Sequence, residues 1–318
     1  MRPTRQFLCV VFLAWTALIS AASLRAQELV REALSSFPHD TIRLEYSHPT
    51  ALRSLPNYSS LRQRYEGPRL REVEGSLSRL GIQESDIDEL VLGWRLAENQ
   101  WALYGLTSGR FNPKGIADRA TAQGLATVAI EGVPAYCLSS EARDNCVIVL
   151  ENSLGAFGPL DSLRAILEVR GGMATRLESD NTFAKLVSGA GTKAPIWGVA
   201  VGPAVADWFK GWMPNQGDLK LDWTQTFKSV EALTYSVEPG NTVRLNVRMD
   251  CATIEDATRL RQVFEGLKLF QQLAWQNQNP GRPNPYQDLE VEASDRRVVL
   301  KLNTPYSALE TGGASGGG

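Results

Sequence analysis

The chain has 318 residues, 43% of them hydrophobic and 21% charged, the proportions of an ordinary globular protein long enough for two domains. Its 33 Lys and Arg against 35 Asp and Glu leave a formal charge of -2 and no basic run. That balance argues against a nucleic-acid partner, and against an anionic membrane surface held by charge alone.

The chain opens on Arg2 and Arg5, followed by an uncharged run from Phe7 to Ala22 and then small residues. This order predicts a secretory signal peptide over 1–26, cleaved after Ala22 or Ala26. The run is shorter than the ~20 residues of a spanning helix, and the alternative is a retained N-terminal anchor. Cleavage after Ala26 removes three arginines and no acid, which makes the mature chain more acidic. An exported protein meets an oxidising compartment, where disulfides persist.

Residues 41–48 alternate as a strand, Pro49 opens a helical stretch, and a second helix is predicted over GPRLREVEGSLSRLG with Gly81 as its stop. ELVLGWR and QWALYGLTS read as a hairpin turning at Ala97-Glu98-Asn99. Asn112 is placed to cap a helix with Pro113 at its first position. TVAIEGVPAYCL and CVIVLEN read as two strands, and Pro159 starts the helix PLDSLRAILEVR. Cys137 and Cys146 end apolar runs on either side of a polar turn. A hairpin centred there sets them opposite each other, within disulfide reach, while Cys251 has no evident partner.

The second half repeats that order. APIWGVAVG is a strand, Pro203 opens AVADWFKGW, and VEALTYSV and TVRLNVRMD flank the turn EPGN. A long helix starts near Thr253, a Pro/Asn/Gln stretch follows, and DLEVEA and RVVLKLN turn at Ser294-Asp295-Arg296. Residue matches follow the same order: Ile42 with Ile196, Pro49 with Pro203, Leu90 with Leu233, Leu103 with Leu245 and Asn152 with Asn303. The fold class read from this is α+β. It has two tandem β-α-β-β-α-β-β modules, 27–170 and 195–310, with antiparallel-rich sheets, helices on one face, and a relation to the ferredoxin-like arrangement. Residues 171–194 join them through a short helix around TFAKLV, and 311–318 form a disordered tail.

No catalytic residue, cofactor or metal ligand is assigned. His39 and His48 are the two histidines, without the spacing of a zinc site, and no serine elbow accompanies them. Gly189-Ala190-Gly191-Thr192-Lys193 lacks the full phosphate-loop pattern and follows a helix. Glu84, Asp86, Asp88 and Glu89 lack EF-hand spacing and read as a solvated turn. Asn57-Tyr58-Ser59 is a formal glycosylation acceptor. Tryptophan is concentrated in the second half. Val205, Trp208, Phe209 and Trp212 share one helical side, which reads first as core. The other reading is a rim of Trp208, Trp212, Met213 and Trp223 for an apolar ligand or a protein. On the long helix, Leu260, Val263, Phe264, Leu267, Phe270 and Ala274 read as core.

The segments FPHDTIRLEYSHPTALRSLPNYSSLR, ELVLGWR, APIWGVAVGPAVADWFKGWMPNQGDLKLDW and LKLFQQLAWQNQNPGRPNP together resemble an uncharacterised family of exported bacterial proteins. The resemblance implies an envelope setting and carries no activity or site residue. The function expected is a non-catalytic binding or scaffolding protein. The alternatives are a carboxylate-dependent hydrolase, working through a pair of acids with separated pKa values, or a carrier of a lipid-like molecule.

Overall fold

A computed structural model describes residues 28–59, 62, 74–75, 77–97, 100–138, 145–190, 193–212 and 222–311. The predicted signal peptide, 67–73 of the predicted second helix, the turn residues 98–99, and 312–318 of the predicted tail lie outside them. The strands are β1 Arg43–Ser47, β2 Ile87–Ala97, β3 Gln100–Gly109, β4 Ala126–Ile130, β5 Val133–Cys137, β6 Cys146–Glu151 and β7 Leu154–Gly158 in the first half. The second half has β8 Ile196–Val201, β9 Val230–Pro239, β10 Val243–Cys251, β11 Glu290–Ser294 and β12 Arg297–Thr304. The helices used below are α1 over 28–36, α2 Pro49–Arg53, α3 Pro113–Ala122, α4 Leu160–Arg170, α5 Asn181–Gly189, α6 Pro203–Trp212, α7 Trp223–Thr226, α8 Ile254–Gln278 and α9 Tyr306–Thr311.

The twelve strands of the described residues form one antiparallel sheet in the order β11-β12-β10-β9-β8-β1-β2-β3-β7-β6-β5-β4. The halves meet where β1 pairs with β8, from Arg43 opposite Ala200 to Ser47 opposite Ile196. Pairing of the first strand of each half explains the long apolar run of β8. Trp197 and Val199 are buried on one face, and Ala200 on the other.

The two halves place their main cores on opposite faces. Register partners share a face. Tyr46, Val91, Leu106, Ala156 and Ile148 lie opposite one another in turn. That row packs with α1, α4 and α5 through Leu29, Ala33, Leu163, Ile166 and Phe183. Ala200, Leu233, Met249 and Val298 form the matching row of the second half. Because Ala200 is opposite Arg43, one residue before Leu44, this second row faces the other way. It packs with α6 and α8 through Val205, Trp208, Leu260 and Phe264. A third cluster, with Ile116 and Ala120 of α3 against Tyr136 and Val147, lies on that same side of the first half.

Several sequence expectations are corrected here. Helices cover both faces of the sheet, not one. β1 and β2, joined through α2, are adjacent and antiparallel, whereas a split β-α-β unit sets its flanking strands parallel. TVAIEGVPAYCL is not one strand but the hairpin β4–β5. Glu131 and Gly132 turn it with φ of 48° and 81°, the left-handed pair that a two-residue hairpin turn needs. β7 was not expected: LGAFG is short and carries two glycines. The first half therefore has two more strands than its assigned pattern. Asn152 sits in the β6–β7 turn while Asn303 lies within β12, so that pair is not equivalent. Leu90 and Leu233 do occupy corresponding strands, as do Leu103 and Leu245.

Local signals behave as the residues dictate. Asn112 accepts from the Gly115 amide at 3.0 Å, with Pro113 at the first position of α3. Gly81, at φ 76°, ends a helical turn in which the Ile82 amide reaches back to the Leu77 carbonyl. Thr253 caps α8 by accepting from the Asp256 amide at 3.1 Å. Cys137 and Cys146 form a disulfide between directly opposed positions of β5 and β6. The connection 171–194 is more than a spacer: Leu177, Phe183 and Val187 are buried in the first-half core.

Candidate interaction site

The tryptophan-rich segment of the second half resolves first. Trp208 is 2% exposed, its ring 4.8 Å from Phe209 and 4.9 Å from Tyr235. Phe209 stacks on Phe227 at 4.2 Å and meets Phe264 of α8 at 5.5 Å. The helical spacing of α6 lays this stripe on the sheet, so Trp208 is core and cannot be part of a surface rim. Trp223 is half-buried at the end of the stack, 6.2 Å from Phe209. Trp212 is the last residue of α6, where the backbone alone is described, and Met213 lies outside the described residues.

The polar clusters are structural. Both carboxylate oxygens of buried Glu89 are occupied, by the Tyr46 hydroxyl at 2.7 Å and the Ser108 hydroxyl at 3.2 Å. Burial, and then the hydrogen bond to Glu89 and its charge, push the Tyr46 phenol far up, so it stays a donor. The rest of the predicted acidic turn is equally engaged. Glu84 accepts from Tyr58 and lies 3.4 Å from Arg62, and Asp86 accepts from the Gln83 amide at 2.9 Å. Asp88 accepts from Thr50 at 3.1 Å. Arg43 lies over the Trp94 ring, with its charge on Glu45 at 2.8 Å and Asp207 at 3.4 Å. Burial, then the charges of Asp256, Asp250 and Glu231, push the Cys251 thiol up to about 11. Among the described residues no group of three or more His, Cys, Asp or Glu side chains is placed to hold a metal ion. The backbone amides of His39 and His48 bond the carbonyls of Thr175 and Pro195; His39 lies in the turn ahead of β1 and His48 directly follows that strand.

What stands out is the outer side of α8. Ala257, Leu260, Phe264, Leu267 and Trp275 form its buried side. Leu269 and Leu273, both 61% exposed, and Phe270, 41% exposed, project on the other. Phe270 is therefore not core, contrary to the expectation from periodicity. Leu267 and Leu269, two residues apart, cannot share a helix face, so this stretch is apolar on both sides. From Leu269 to Gly281 no residue is charged. The following loop folds back against the flank of the helix, through Lys268 to the Leu289 carbonyl at 2.5 Å and Gln272 to the Tyr286 carbonyl at 3.0 Å. Leu269 and Leu273 were missed in the sequence. The signal was there, as apolar residues opposite the core stripe in an uncharged run.

No protein-family model matches the chain, and no curated protein does. Its fold does have solved counterparts. Crystal form III of the protein TP0453 is similar over 88% of this chain and 96% of its own, with a TM-score of 0.52 and 11% identity. Crystal form I of TP0453 is similar over 88% and 95%, with a TM-score of 0.50 and 9% identity. At these identities the likeness concerns the fold alone.

Proposed function

We propose that the protein is a non-catalytic binding or scaffolding protein of an oxidising, envelope-type compartment, and that it docks a protein partner through the outer side of α8. The observation that carries this is the trio Leu269, Phe270 and Leu273, exposed together on a capped, well-packed helix. A contiguous apolar face of that kind marks an interaction site. The face is convex, which suits another macromolecule better than an enclosed small ligand. One turn away along the helix it is flanked by Glu265, Gln276 and Asn277, not by the Lys and Arg that favour an anionic bilayer. The disulfide supports the compartment. The engaged state of Glu89 and its acidic neighbours lends the hydrolase reading no free carboxylate pair.

The corresponding order β-α-β-β-α in the two halves, with matched register from β1 to β3 and from β8 to β10, supports an origin by duplication. In that reading the first half later gained the β4–β5 hairpin, and the second half gained the long α8 and its exposed side.

The test is a photo-crosslinker at position 273 in the native host, followed by purification of the crosslinked protein and direct binding measurements. The Leu269→Gln/Leu273→Gln protein should fold with unchanged near-ultraviolet circular dichroism and bind that protein at least about tenfold more weakly, since fully burying an exposed leucine side chain is worth about 1.5–3 kcal/mol and tenfold is about 1.4 kcal/mol. Equal affinity of the two proteins rejects the site. Crosslinks to lipid alone reject the protein partner.

A further inference from the structure

Among the described residues β4 and β11 are the outer strands of the sheet, and they differ in kind. β11 carries Glu290 and Glu292, with Lys301 on Glu292 at 2.9 Å. Acids and lysines of that sort blunt an edge against further pairing. Among the described residues, β4 has no such protection. Its sequence ATVAI has no charge and no proline, and its residues from Ala126 to Ala129 are exposed.

The hairpin register says which backbone groups are unused. Ile130 pairs with Val133 across the two-residue turn, so the hydrogen-bonded positions are Ile130, Val128 and Ala126. Thr127 and Ala129 lie between them, Ala129 opposite Pro134, which has no amide to give. The amides and carbonyls of Thr127 and Ala129 therefore point away from the sheet. Their strand is held rigidly: the left-handed pair Glu131-Gly132 fixes the turn, and Cys137, opposite Ala126, is tied to β6 by the disulfide. A preorganised edge loses little entropy on pairing.

We propose that β4 pairs antiparallel with β4 of a second copy of this chain about a two-fold axis at Val128, continuing the sheet across the dimer. The strand is self-complementary in that register. Thr127 faces Ala129 of the other copy in a hydrogen-bonded pair, Ala126 faces Ile130, and Glu131 faces Leu125, so no like charges meet. Val128 faces itself in a non-hydrogen-bonded pair, and the contact covers a side chain that is 38% exposed. The contact is isologous and closes at two copies. Chain growth through the other edge is opposed, because two β11 strands set Glu290 and Glu292 against the same acids. The site is separate from the outer side of α8, and neither depends on the other.

A five-residue strand contact is small, so the dimer exchanges readily and sedimentation must cover about 1 μM to about 1 mM, the range for an interface under ~1,000 Å². The wild-type protein should pass from monomer to dimer in that series. Ala129→Pro removes an outward amide without touching the β4–β5 ladder, and Val128→Lys sets two charges together on the axis. Both should lose the dimer with near-ultraviolet circular dichroism unchanged. Val128→Cys should form an intermolecular disulfide on mild oxidation, since directly opposed non-hydrogen-bonded positions lie within bridging distance. Ala126→Cys, which faces Ile130, should not. A wild-type protein that stays monomeric to the top of the series overturns the proposal. So does a dimer indifferent to both Val128→Lys and Ala129→Pro, or equal crosslinking from positions 126 and 128.

Discussion

Single residues in this protein mostly settle charge and polarity inside a sheet buried on both sides near its centre. Glu89 keeps its place because two hydroxyls satisfy it, and Arg43 because an aromatic ring and two carboxylates do. Asp250 is the clearest titrating case. Burial pushes its carboxyl up, but the hydrogen bonds and charges of Arg248 and Arg297 outweigh that and hold it below the usual range. A carboxylate with a depressed folded pKa stabilises the fold above its unfolded value of about 3.9, and that contribution fades as pH falls through the folded value. Asp250→Asn should therefore be less stable than the wild type at pH 7. The deficit should shrink steadily below about pH 4, as read from urea unfolding at a series of pH values. A deficit that stays constant down to about pH 2, below the unfolded carboxyl range, contradicts the ion-pair origin.

At the scale of elements, α8 shows what periodicity reveals and what it hides. Leu260 is 3% exposed, on the side that packs on β10 and β12. Leu260→Ala should cost about 2–5 kcal/mol, as buried leucine truncations do. Leu273→Gln, on the opposite side of the same helix, should change stability by no more than about 0.5 kcal/mol. Guanidinium unfolding of the two variants checks the contrast, and equal losses would mean that both sides are packed. The helix itself was legible in the sequence, from its Thr253 cap and its long run of helix formers. Its double-sided apolar character was not, because a broad apolar stripe accepts Phe270 without strain in the pattern. The same limit explains the strands. β1, β2, β3, β8, β9, β10, β11 and β12 alternate or sit beside clear turns, and each was expected. β7 is too short and glycine-rich to announce itself. The turn at Glu131-Gly132 was passed over because apolar residues continue on both sides of it. The opposed cysteines were legible because a hairpin turn fixes register locally. The stripe that carries Trp208 was legible too, since it matches one side of α6, but nothing local told whether its core reading or its rim reading applied.

For the whole molecule, the decisive contact is the seam between β1 and β8. No turn specifies it, and no local pattern could: it joins residues 43–47 to residues 196–200. Gly198 marks how close that approach is. A Cβ there would lie 2.6 Å from the Tyr235 ring and 2.9 Å from the Leu44 carbonyl oxygen. The first half ending at residue 190 keeps its core apart from Trp197 and Val199 of β8, and it leaves the β1 edge bare. It should self-associate at concentrations where the full chain does not, and a peptide of residues 194–203 should reverse this, as followed by light scattering. A monodisperse truncated chain, indifferent to the peptide, would show that β1 needs no partner there.

The order of synthesis turns that seam into a question of timing. A ribosome adding about 5–20 residues per second needs roughly 10–30 s to carry the chain from β1 to the end of β8. Throughout that interval the nascent polypeptide displays one raw strand flank, tipped by Leu44 and Tyr46. An escort that shields extended segments, or export of the chain before it folds, is then a condition of its safe production.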